Sequence, residues 1–383
     1  MSKILGLLLI HISGTGIMSF SQGSFVLYVE DALHFKRSAF FLVGSFTVLF
    51  SCLSLPLFKK AESRFSPSFL VNISAFFESA NYLGFSYFES YPVFLLLGIL
   101  NGIFINGISS PLIIEVLNHE FPKKSSKLLA VILSSSTFFS AFFINILKVI
   151  NESFSFRWGY RLIAFSGLFF ALAGSFLIRG TSFEHCMPAK EYAGLKDKEL
   201  FCFCLILFLG NFANLALFNN LIPFLTEIGV KRSYAQSLSS LVVFAVALSR
   251  LFWGRLFQKK NAVGVLFLLT LSPLAASLLF FFSYHIELLI YPSLLFISFN
   301  ACFNALPAQS ISSQIKKEGS LTFLLFSSIL GSSLGSSTAA FIYDIMGSYK
   351  TFWLFLIAAS LSVSLINLWL LRQYPHDGTV VSG

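Results

Sequence analysis

Apolar runs of about twenty residues recur along the whole chain, and they constrain the fold more than any other feature. A helix needs about 20 residues to cross the hydrocarbon core of a bilayer. The first run continues well beyond the length of a cleavable signal peptide, so we expect it to be retained. The sequence therefore predicts an all-α polytopic membrane protein with twelve transmembrane helices, near residues 4–29, 38–58, 67–88, 91–117, 126–150, 157–178, 200–226, 234–257, 263–283, 288–313, 321–343 and 349–371.

Charged residues are too few to cover a soluble surface. They make up 11% of the 383 residues, whereas hydrophobic residues make up 56%. Soluble domains carry roughly 25% charged residues. We interpret the net charge of +9 as basic loops beside anionic lipid, and not as a nucleic-acid surface. The expected partners are therefore the lipid bilayer and a small-molecule substrate, with no nucleic acid, and a monomer is consistent with the sequence.

The basic residues predict the orientation of the spans. With the N-terminus in the cytoplasm, 17 lysines and arginines fall on the cytoplasmic side and 7 on the outer side. Two more, Arg161 and Arg250, lie inside predicted helices. Cytoplasmic loops of membrane proteins carry the excess of positive charge, so both termini are predicted to be cytoplasmic. The plasma membrane and an internal membrane both remain open as locations.

A polar stretch in the middle of the chain divides the spans into two groups of six. It reads "RGTSFEHCMPAKEYAGLKDKE" (179–199) and contains proline and both signs of charge. We predict an N-terminal six-helix bundle over 1–178 and a C-terminal six-helix bundle with a short cytoplasmic tail over 200–383. The polar stretch is predicted to be a cytoplasmic linker between them.

Short matches between the two groups indicate an internal repeat. "KRS" occurs at 36–38 and again at 231–233. "LLAVILSS" (128–135) aligns with "LTFLLFSS" (321–328) at a shift of 193 residues. With six spans in each half, the two copies have the same orientation in the membrane, which makes this a parallel repeat.

Arg250 is the most informative charged residue. It lies eight residues before Gln258, which places it about 12 Å above the cytoplasmic loop at the rise of an α-helix. An unpaired cation at the centre of a membrane helix costs at least ~2.5–3.5 kcal/mol, so the side chain should face the bundle interior. Its guanidinium could bind a carboxylate with two parallel hydrogen bonds. The alternative is a structural arginine that bonds carbonyl oxygens or an acid on another helix.

Glu78 is the other deep charge, near the middle of the third span. A buried carboxylic acid is readily protonated, so Glu78 is a candidate for proton coupling with a co-transported proton. A permanently neutral acid that bonds between helices is the alternative.

Amide side chains recur in the first, fourth, seventh and tenth spans. Asn300 and Asn304 are four residues apart and share a helix face. Asn101 and Asn300 are related by a shift of 199 residues, in "NGIF" and "NACF". These amides either bind a polar substrate or bond between helices, and the set comprises Gln22, Asn101, Asn106, Asn211, Asn214, Asn300 and Asn304.

Signatures of enzymes and of metal or cofactor sites are missing from the sequence. The six histidines fall in separate segments, and no zinc-protease or nucleotide-loop motif occurs. The five cysteines have no spacing that suits a metal or a disulfide framework. We therefore expect no cofactor, no metal and no enzymatic activity.

Three stretches carry a family resemblance: "FPKKSSKLLAVILSSS" (121–136), "FLTEIGVKRSYAQSLSSLVVFAVALSRLFWGRL" (224–256) and "FIYDIMGSYKTFWLFLIAAS" (341–360). With twelve spans and a parallel repeat, the chain resembles the major facilitator superfamily. The stretches look like those of its monocarboxylate-porter-like, oxalate/formate-antiporter-like and nodulin-like branch. The resemblance implies that the first, fourth, seventh and tenth spans line a central cavity, where the amides would lie. It also implies a secondary active transporter of a small solute by alternating access, foremost a small organic anion such as a monocarboxylate.

The chain also departs from the pattern of that family. Its loop after the second span reads "KKAESRFSP" (59–67), with Ser63 where an aspartate is usual, and Gln258 replaces the matching acid in the second half. A second cation in the first or eleventh span is absent as well. Two alternatives follow, namely a transporter of a polar neutral solute (nucleoside, amino acid or sugar) and a non-transporting membrane receptor or scaffold.

Overall fold

The protein is helical throughout the part of the chain that the structure describes. The computed structural model describes residues 2–122, 124–181, 198–259, 261–303, 305–315 and 319–373. Sixteen α-helices occur in these ranges: α1 Ser2–His11, α2 Val26–Leu33, α3 Arg37–Glu62, α4 Pro67–Tyr87, α5 Tyr91–Phe104, α6 Ser110–Glu120, α7 Ser125–Ser153, α8 Phe156–Leu177, α9 Lys198–Asn219, α10 Leu221–Glu227, α11 Arg232–Lys259, α12 Ala262–Ser283, α13 Ile290–Asn300, α14 Ala305–Ile315, α15 Ser320–Met346 and α16 Lys350–Gln373.

Ten helical segments of the described chain are long and apolar enough to cross a membrane. The predicted third span corresponds to α4, which has 21 residues, and the predicted tenth span to the pair α13 and α14. The prediction of an all-α multi-pass membrane protein is confirmed, while the count of twelve spans stays a prediction.

The first, fourth, seventh and tenth spans are each broken, the seventh toward its C-terminal end and the other three near the middle. The first widens into a π-helical segment, Ile12–Ser19, and continues through a 3-10 turn, Gln22–Ser24, to α2. A 3-10 turn, Ile105–Ile108, separates α5 from α6, while α9 and α10 are separated at Asn220. The break between α13 and α14 begins at Ala301. The first and fourth spans of each half are therefore discontinuous, which is consistent with the predicted repeat.

Proline explains where three of these spans resume. Pro111, Pro223 and Pro307 each lie in the first turn of the second helix of their span, α6, α10 and α14. Proline has no backbone N–H and disfavours the helical conformation in the residue before it, so it is tolerated at a helix start but not in an unbroken interior.

Small residues let several helices approach closely. A Cβ on Gly102 of α5 would overlap with the carbonyl oxygen of Thr47 in α3, and a Cβ on Gly335 of α15 would overlap with that of Phe212 in α9. Contacts of this kind hold membrane helices together by van der Waals packing, because lipid supplies no hydrophobic driving force between them.

Three apolar cores fill the bundle. One consists almost entirely of residues 7–178, one of residues 200–370, and one joins α2, α3 and α7 to the helices that follow residue 198. We call residues 2–181 the first half and residues 198–373 the second half. The boundaries predicted at 179–199 stay a prediction, because residues 182–197 lie outside the described ranges.

Two contact clusters join the halves at the end of the bundle opposite the N-terminus. In the first, Arg37 donates to Glu30 of its own half at 2.9 Å. Two contacts reach the second half: the Arg37 guanidinium lies 4.2 Å from the ring centroid of Tyr343, and the Ser38 N–H donates to Asp344 at 3.0 Å. We call this the Arg37 contact.

In the second cluster, Arg232 pairs with Asp31 at 2.7 Å and lies 5.1 Å from the ring centroid of Tyr28. We call this the Arg232 contact. The two arginines belong to the two "KRS" copies, and each reaches from the start of its helix to the opposite half. At the N-terminal end, by contrast, the ion pairs of Lys3 with Glu120 and of Lys59 with Glu115 join helices of the first half.

Candidate functional site

Arg250 projects from α11 into the interface between the two halves and is 6% exposed. Its Nη1 donates to the carbonyl oxygen of Leu133 at 3.2 Å and to Oγ1 of Thr137, both on α7 of the first half. Its Nε is buried and has no hydrogen-bond partner. Among the described residues, no carboxylate lies within salt-bridge distance of the guanidinium. The predicted burial inside the bundle is confirmed, and the charge lacks an acidic counterpart there.

An aromatic ring covers one side of this cation. The guanidinium carbon lies 5.5 Å from the ring centroid of Phe20, at the end of the π-helical segment of the first span. Phe20 also packs against Phe218 of α9, with ring centroids 5.5 Å apart. The negative face of an aromatic ring attracts a cation, but far less than a carboxylate does. Phe20 therefore supplies a weak counterpart for the charge and leaves it largely uncompensated.

A histidine that the sequence analysis did not single out lies beside Arg250. His11, the last residue of α1, is fully buried, and its Nδ1 is 2.6 Å from Oγ of Ser136. Its Nε2 is 3.3 Å from Oγ of Ser110, the first residue of α6. Ser136 in turn donates to the Leu133 carbonyl at 3.0 Å, so His11 and Arg250 are linked through one turn of α7. An imidazole inside an otherwise apolar first span was the signal that could have identified it.

This network reaches three of the four broken spans. His11 and Ser110 lie at the breaks of the first and fourth spans. Cys302 lies at the break of the tenth, with its Sγ 3.4 Å from Oγ of Ser249, the neighbour of Arg250. In membrane transport proteins, discontinuous helices commonly form the binding site near the middle of the membrane. The network thus occupies the place where a solute site is expected.

The predicted amides do not all converge on one site. Gln22 and Asn101 line a common cavity of about 30 Å³ in the first half, together with Tyr82 and Tyr160. Oδ1 of Asn101 is buried there without a hydrogen-bond partner. Gln22 also borders a second space between the halves, with Asn219 on its far side. The cavity has room for only one or two water molecules.

The remaining amides divide into bonded and unbonded groups. Asn211 donates to Ser328 at 2.7 Å and so bonds α9 to α15, which is the structural alternative. Asn106 bonds α3 in the same way, with Nδ2 2.8 Å from the Ser51 carbonyl oxygen. Oδ1 of Asn214 and both polar atoms of Asn300 are buried without partners. Asn304 lies outside the described residues.

Glu78 is buried within the first half, and neither of its carboxyl oxygens has a hydrogen-bond partner. It lies on one face of α4 between Ser74, which contacts Gly107 at the fourth-span break, and Tyr82, which donates to the Met18 carbonyl at 3.1 Å. The structure therefore places it next to the broken parts of two spans.

An acid lies at the end of α3, one residue before the position where the family pattern expects it. Glu62 pairs with Lys59 at 3.0 Å, whereas Ser63 donates to the Lys60 carbonyl at 2.8 Å. The side chain of Gln258 lies outside the described part. In the described ranges, no group of three metal-ligating side chains comes together.

Comparison with known proteins agrees with the fold. A model of the Major Facilitator Superfamily matches residues 7–326. A single-residue mutant of the nucleoside transporter NupG superposes with a TM-score of 0.77 at 14% identity, over 96% of this chain and 98% of that one. The unmodified NupG gives 0.69 at 13% identity, over 97% and 98% of the two chains.

The human organic anion transporter MFSD10 superposes with a TM-score of 0.65 at 16% identity, over 96% of this chain and 98% of that one. No curated protein matches in sequence. Likeness at such low identity establishes the shared transporter fold, while the match of the family model covers most of the chain. The chain belongs to the Major Facilitator Superfamily.

Proposed function

We propose that the protein is a secondary active transporter of a small organic anion, such as a monocarboxylate, and that it works by alternating access of the two halves. The observation that carries the proposal is the buried charge of Arg250, which has no acidic partner among the described residues. A carboxylate bound there would supply the missing counter-charge and accept hydrogen bonds from Nε and the remaining guanidinium N–H groups.

The position of Arg250 suits a site that changes with the transport cycle. The side chain belongs to α11 of the second half but donates to α7 of the first. Any rocking of the halves changes this contact, so an anion at Arg250 would interact differently with the two states. A ligand shifts a conformational equilibrium only through such a difference in affinity.

Uptake into proteoliposomes tests the proposal. Lactate, pyruvate and oxalate should enter vesicles that contain the unchanged protein, and Arg250→Ala should abolish this uptake. Arg250→Lys keeps the charge but loses the planar fork, so we expect a partial loss. Arg161→Lys is the matched control, because Arg161 stacks on Tyr87 and Trp158 and is half-buried. Anion uptake that persists in Arg250→Ala would refute the assignment of the anchor.

A polar neutral solute is the second candidate, and one observation favours it. Gln22 and Asn101 share a cavity, and the Asn101 oxygen has no partner. Uridine, an amino acid and a sugar therefore belong in the same uptake screen. Uptake of one of these that survives Arg250→Ala but is lost in Asn101→Ala would favour the neutral solute. A screen in which no solute moves or stabilises the protein would favour a receptor.

Two groups are candidates for a co-transported proton. Glu78 is the one that the sequence suggests, and its unpaired carboxyl supports that proposal because no bonded donor holds it in the charged form. His11 is the other, and it differs from Glu78 in being bonded into the same network as Arg250.

A further inference from the structure

His11 has an arrangement of hydrogen bonds that suits both protonation states of an imidazole. Ser136 donates its hydroxyl hydrogen to the Leu133 carbonyl, so at 2.6 Å its oxygen accepts from Nδ1–H of His11. Nε2 then accepts from the hydroxyl of Ser110 in the neutral ring. After protonation Nε2–H can donate to the same hydroxyl, because a serine oxygen is both donor and acceptor. The ring can gain a proton without losing a partner.

Burial of the ring and the charge next to it both oppose a proton on His11 in the anion-free site. Among the described residues, the charged group that acts electrostatically on the imidazole ring is Arg250. A second positive charge beside the guanidinium is repelled, and burial adds a desolvation cost. An anion seated at Arg250 removes the repulsion and offers a counter-charge to both groups. Binding of the anion and of the proton should therefore favour each other.

The other ionisable groups near α1 do not take this role. The elements packed against α1 are the π-helical segment, α6, α7 and α8. Three of their remaining ionisable side chains are exposed, namely His119, Lys127 and Glu152. Tyr160 is stacked on Phe25. The others contact groups elsewhere: Glu115 contacts Lys59, Glu120 contacts Lys3, Lys148 contacts Ser237, Arg157 contacts Glu89 and Arg161 contacts Ser86.

We propose that His11 is the proton-binding group of the anion site, so that an anion at Arg250 and a proton on His11 are taken up together. This inference rests on the proposed function, since it requires an anion at Arg250. It makes the transporter a proton–anion symporter in which one proton accompanies one carboxylate.

The pH dependence of lactate binding tests the inference. Lactate stays ionised between about pH 5.5 and 7.5, the range in which histidine most often titrates. If one proton is taken up with each lactate, the apparent Kd, from thermal stabilisation in detergent, rises about tenfold per pH unit. In His11→Asn, whose amide can still donate to Ser136, and in His11→Gln, the affinity should not vary with pH.

Two controls separate His11 from other titrating groups. Glu78→Gln should keep the pH dependence, and so should His285→Gln, which alters a histidine outside α1. A dependence that survives both His11 variants overturns the inference, and a dependence lost only in Glu78→Gln assigns the proton to Glu78. If the His11 variants fail to fold, calorimetry of the unchanged protein in buffers of different ionisation enthalpy counts the protons. One proton per lactate is expected, and none would overturn the inference.

The same data separate this inference from the proposed function. Lactate that binds through Arg250 with no pH dependence leaves the anion transporter intact and removes the role of His11. If lactate, pyruvate and oxalate stabilise neither the unchanged protein nor Arg250→Lys at any pH, the proposed anion site fails, and the inference fails with it.

Discussion

Arg250 combines deep burial, two hydrogen bonds to α7 and a charge without an acidic partner among the described residues. The sequence left two roles open for this side chain, a structural one and that of an anion anchor, and the two roles differ in their effect on stability. A structural arginine would stabilise the empty protein, whereas an anchor for an anion would cost it stability until the ligand binds. Replacing a buried ion pair by apolar side chains of similar volume is often neutral or stabilising by about 1–4 kcal/mol, and a lone buried cation lacks even the attraction of a partner.

We therefore expect Arg250→Met to raise the Tm of the ligand-free protein, because it removes an uncompensated charge and keeps the volume. Lactate should no longer stabilise this variant. Scanning fluorimetry in detergent measures both effects. Thr137→Val is the companion variant, since it removes one acceptor of Arg250 and keeps the charge, and its Tm should fall. A lower Tm for Arg250→Met would show that the arginine mainly holds α11 to α7.

The candidate site was only partly predictable at this scale. Arg250 is conspicuous because a cation inside an apolar run has a cost that can be estimated from sequence. His11, Phe20 and Ser136 are not, because their importance comes from contacts between α1, α7 and α11 that no local pattern encodes. The amides are the opposite case. The sequence left open whether they bind a substrate or bond between helices, and the structure shows that Asn106 and Asn211 bond neighbouring helices.

At the scale of single elements, the positions of the spans were predictable and their interruptions were not. A run of twenty apolar residues specifies a membrane helix because lipid cannot satisfy an open backbone. Proline is an ambiguous signal for a break. Pro111 and Pro307 begin new helices, but Pro56 and Pro273 lie inside continuous ones. Whether a neighbouring helix satisfies the freed carbonyl decides between these outcomes, and that depends on tertiary packing.

Helix contacts made through glycine give a prediction at this scale. A Cβ on Gly331 of α15 would overlap with the backbone carbonyl oxygen of Phe208 in α9, and backbone cannot move aside cheaply. We expect Gly331→Ala to destabilise the protein by about 1–3 kcal/mol through overpacking. The measurement is the Tm in detergent.

Gly264→Ala is the matched control for this substitution. Gly264 lies in α12, and the nearest atom to its added Cβ would be Cδ1 of Leu371 at 3.7 Å, an ordinary contact. Alanine is also a better helix former than glycine by about 1 kcal/mol, so Gly264→Ala should be neutral or stabilising. Equal losses in both variants would mean that the α9–α15 contact is not the cause.

For the molecule as a whole, the repeat relates two contacts that close one end of the bundle. The Arg37 contact and the Arg232 contact both start at a "KRS" copy, and both end on aromatic and acidic side chains of the opposite half. An exposed ion pair contributes about 0.2–1 kcal/mol and a cation–π contact about 0.5–1 kcal/mol. Together the two clusters can favour the closed end by a little over 1 kcal/mol.

Loss of both arginines should therefore open this end more often. A shift of 1.4 kcal/mol changes a two-state equilibrium about tenfold. Ser45 of α3 is a suitable reporter, because it is buried and bonds Ser337 of α15 at 2.9 Å across the two halves. We expect a cysteine placed by Ser45→Cys to react with a maleimide about tenfold faster when Arg37→Gln and Arg232→Gln are combined.

Each single variant should give a smaller increase in the labelling rate, since each removes one of two independent contacts that favour the same closed state. Peptide mass spectrometry at position 45 reads the labelling directly, so the native cysteines can stay in place.

Lys59→Gln is the control, because Lys59 pairs with Glu62 and Glu115 within the first half and its loss should leave the labelling rate unchanged. If the double variant labels no faster than the protein that keeps both arginines, packing of the apolar core around Phe41, Leu221 and Ile222 closes this end. In that case the two arginine contacts add no measurable stability to the closed state.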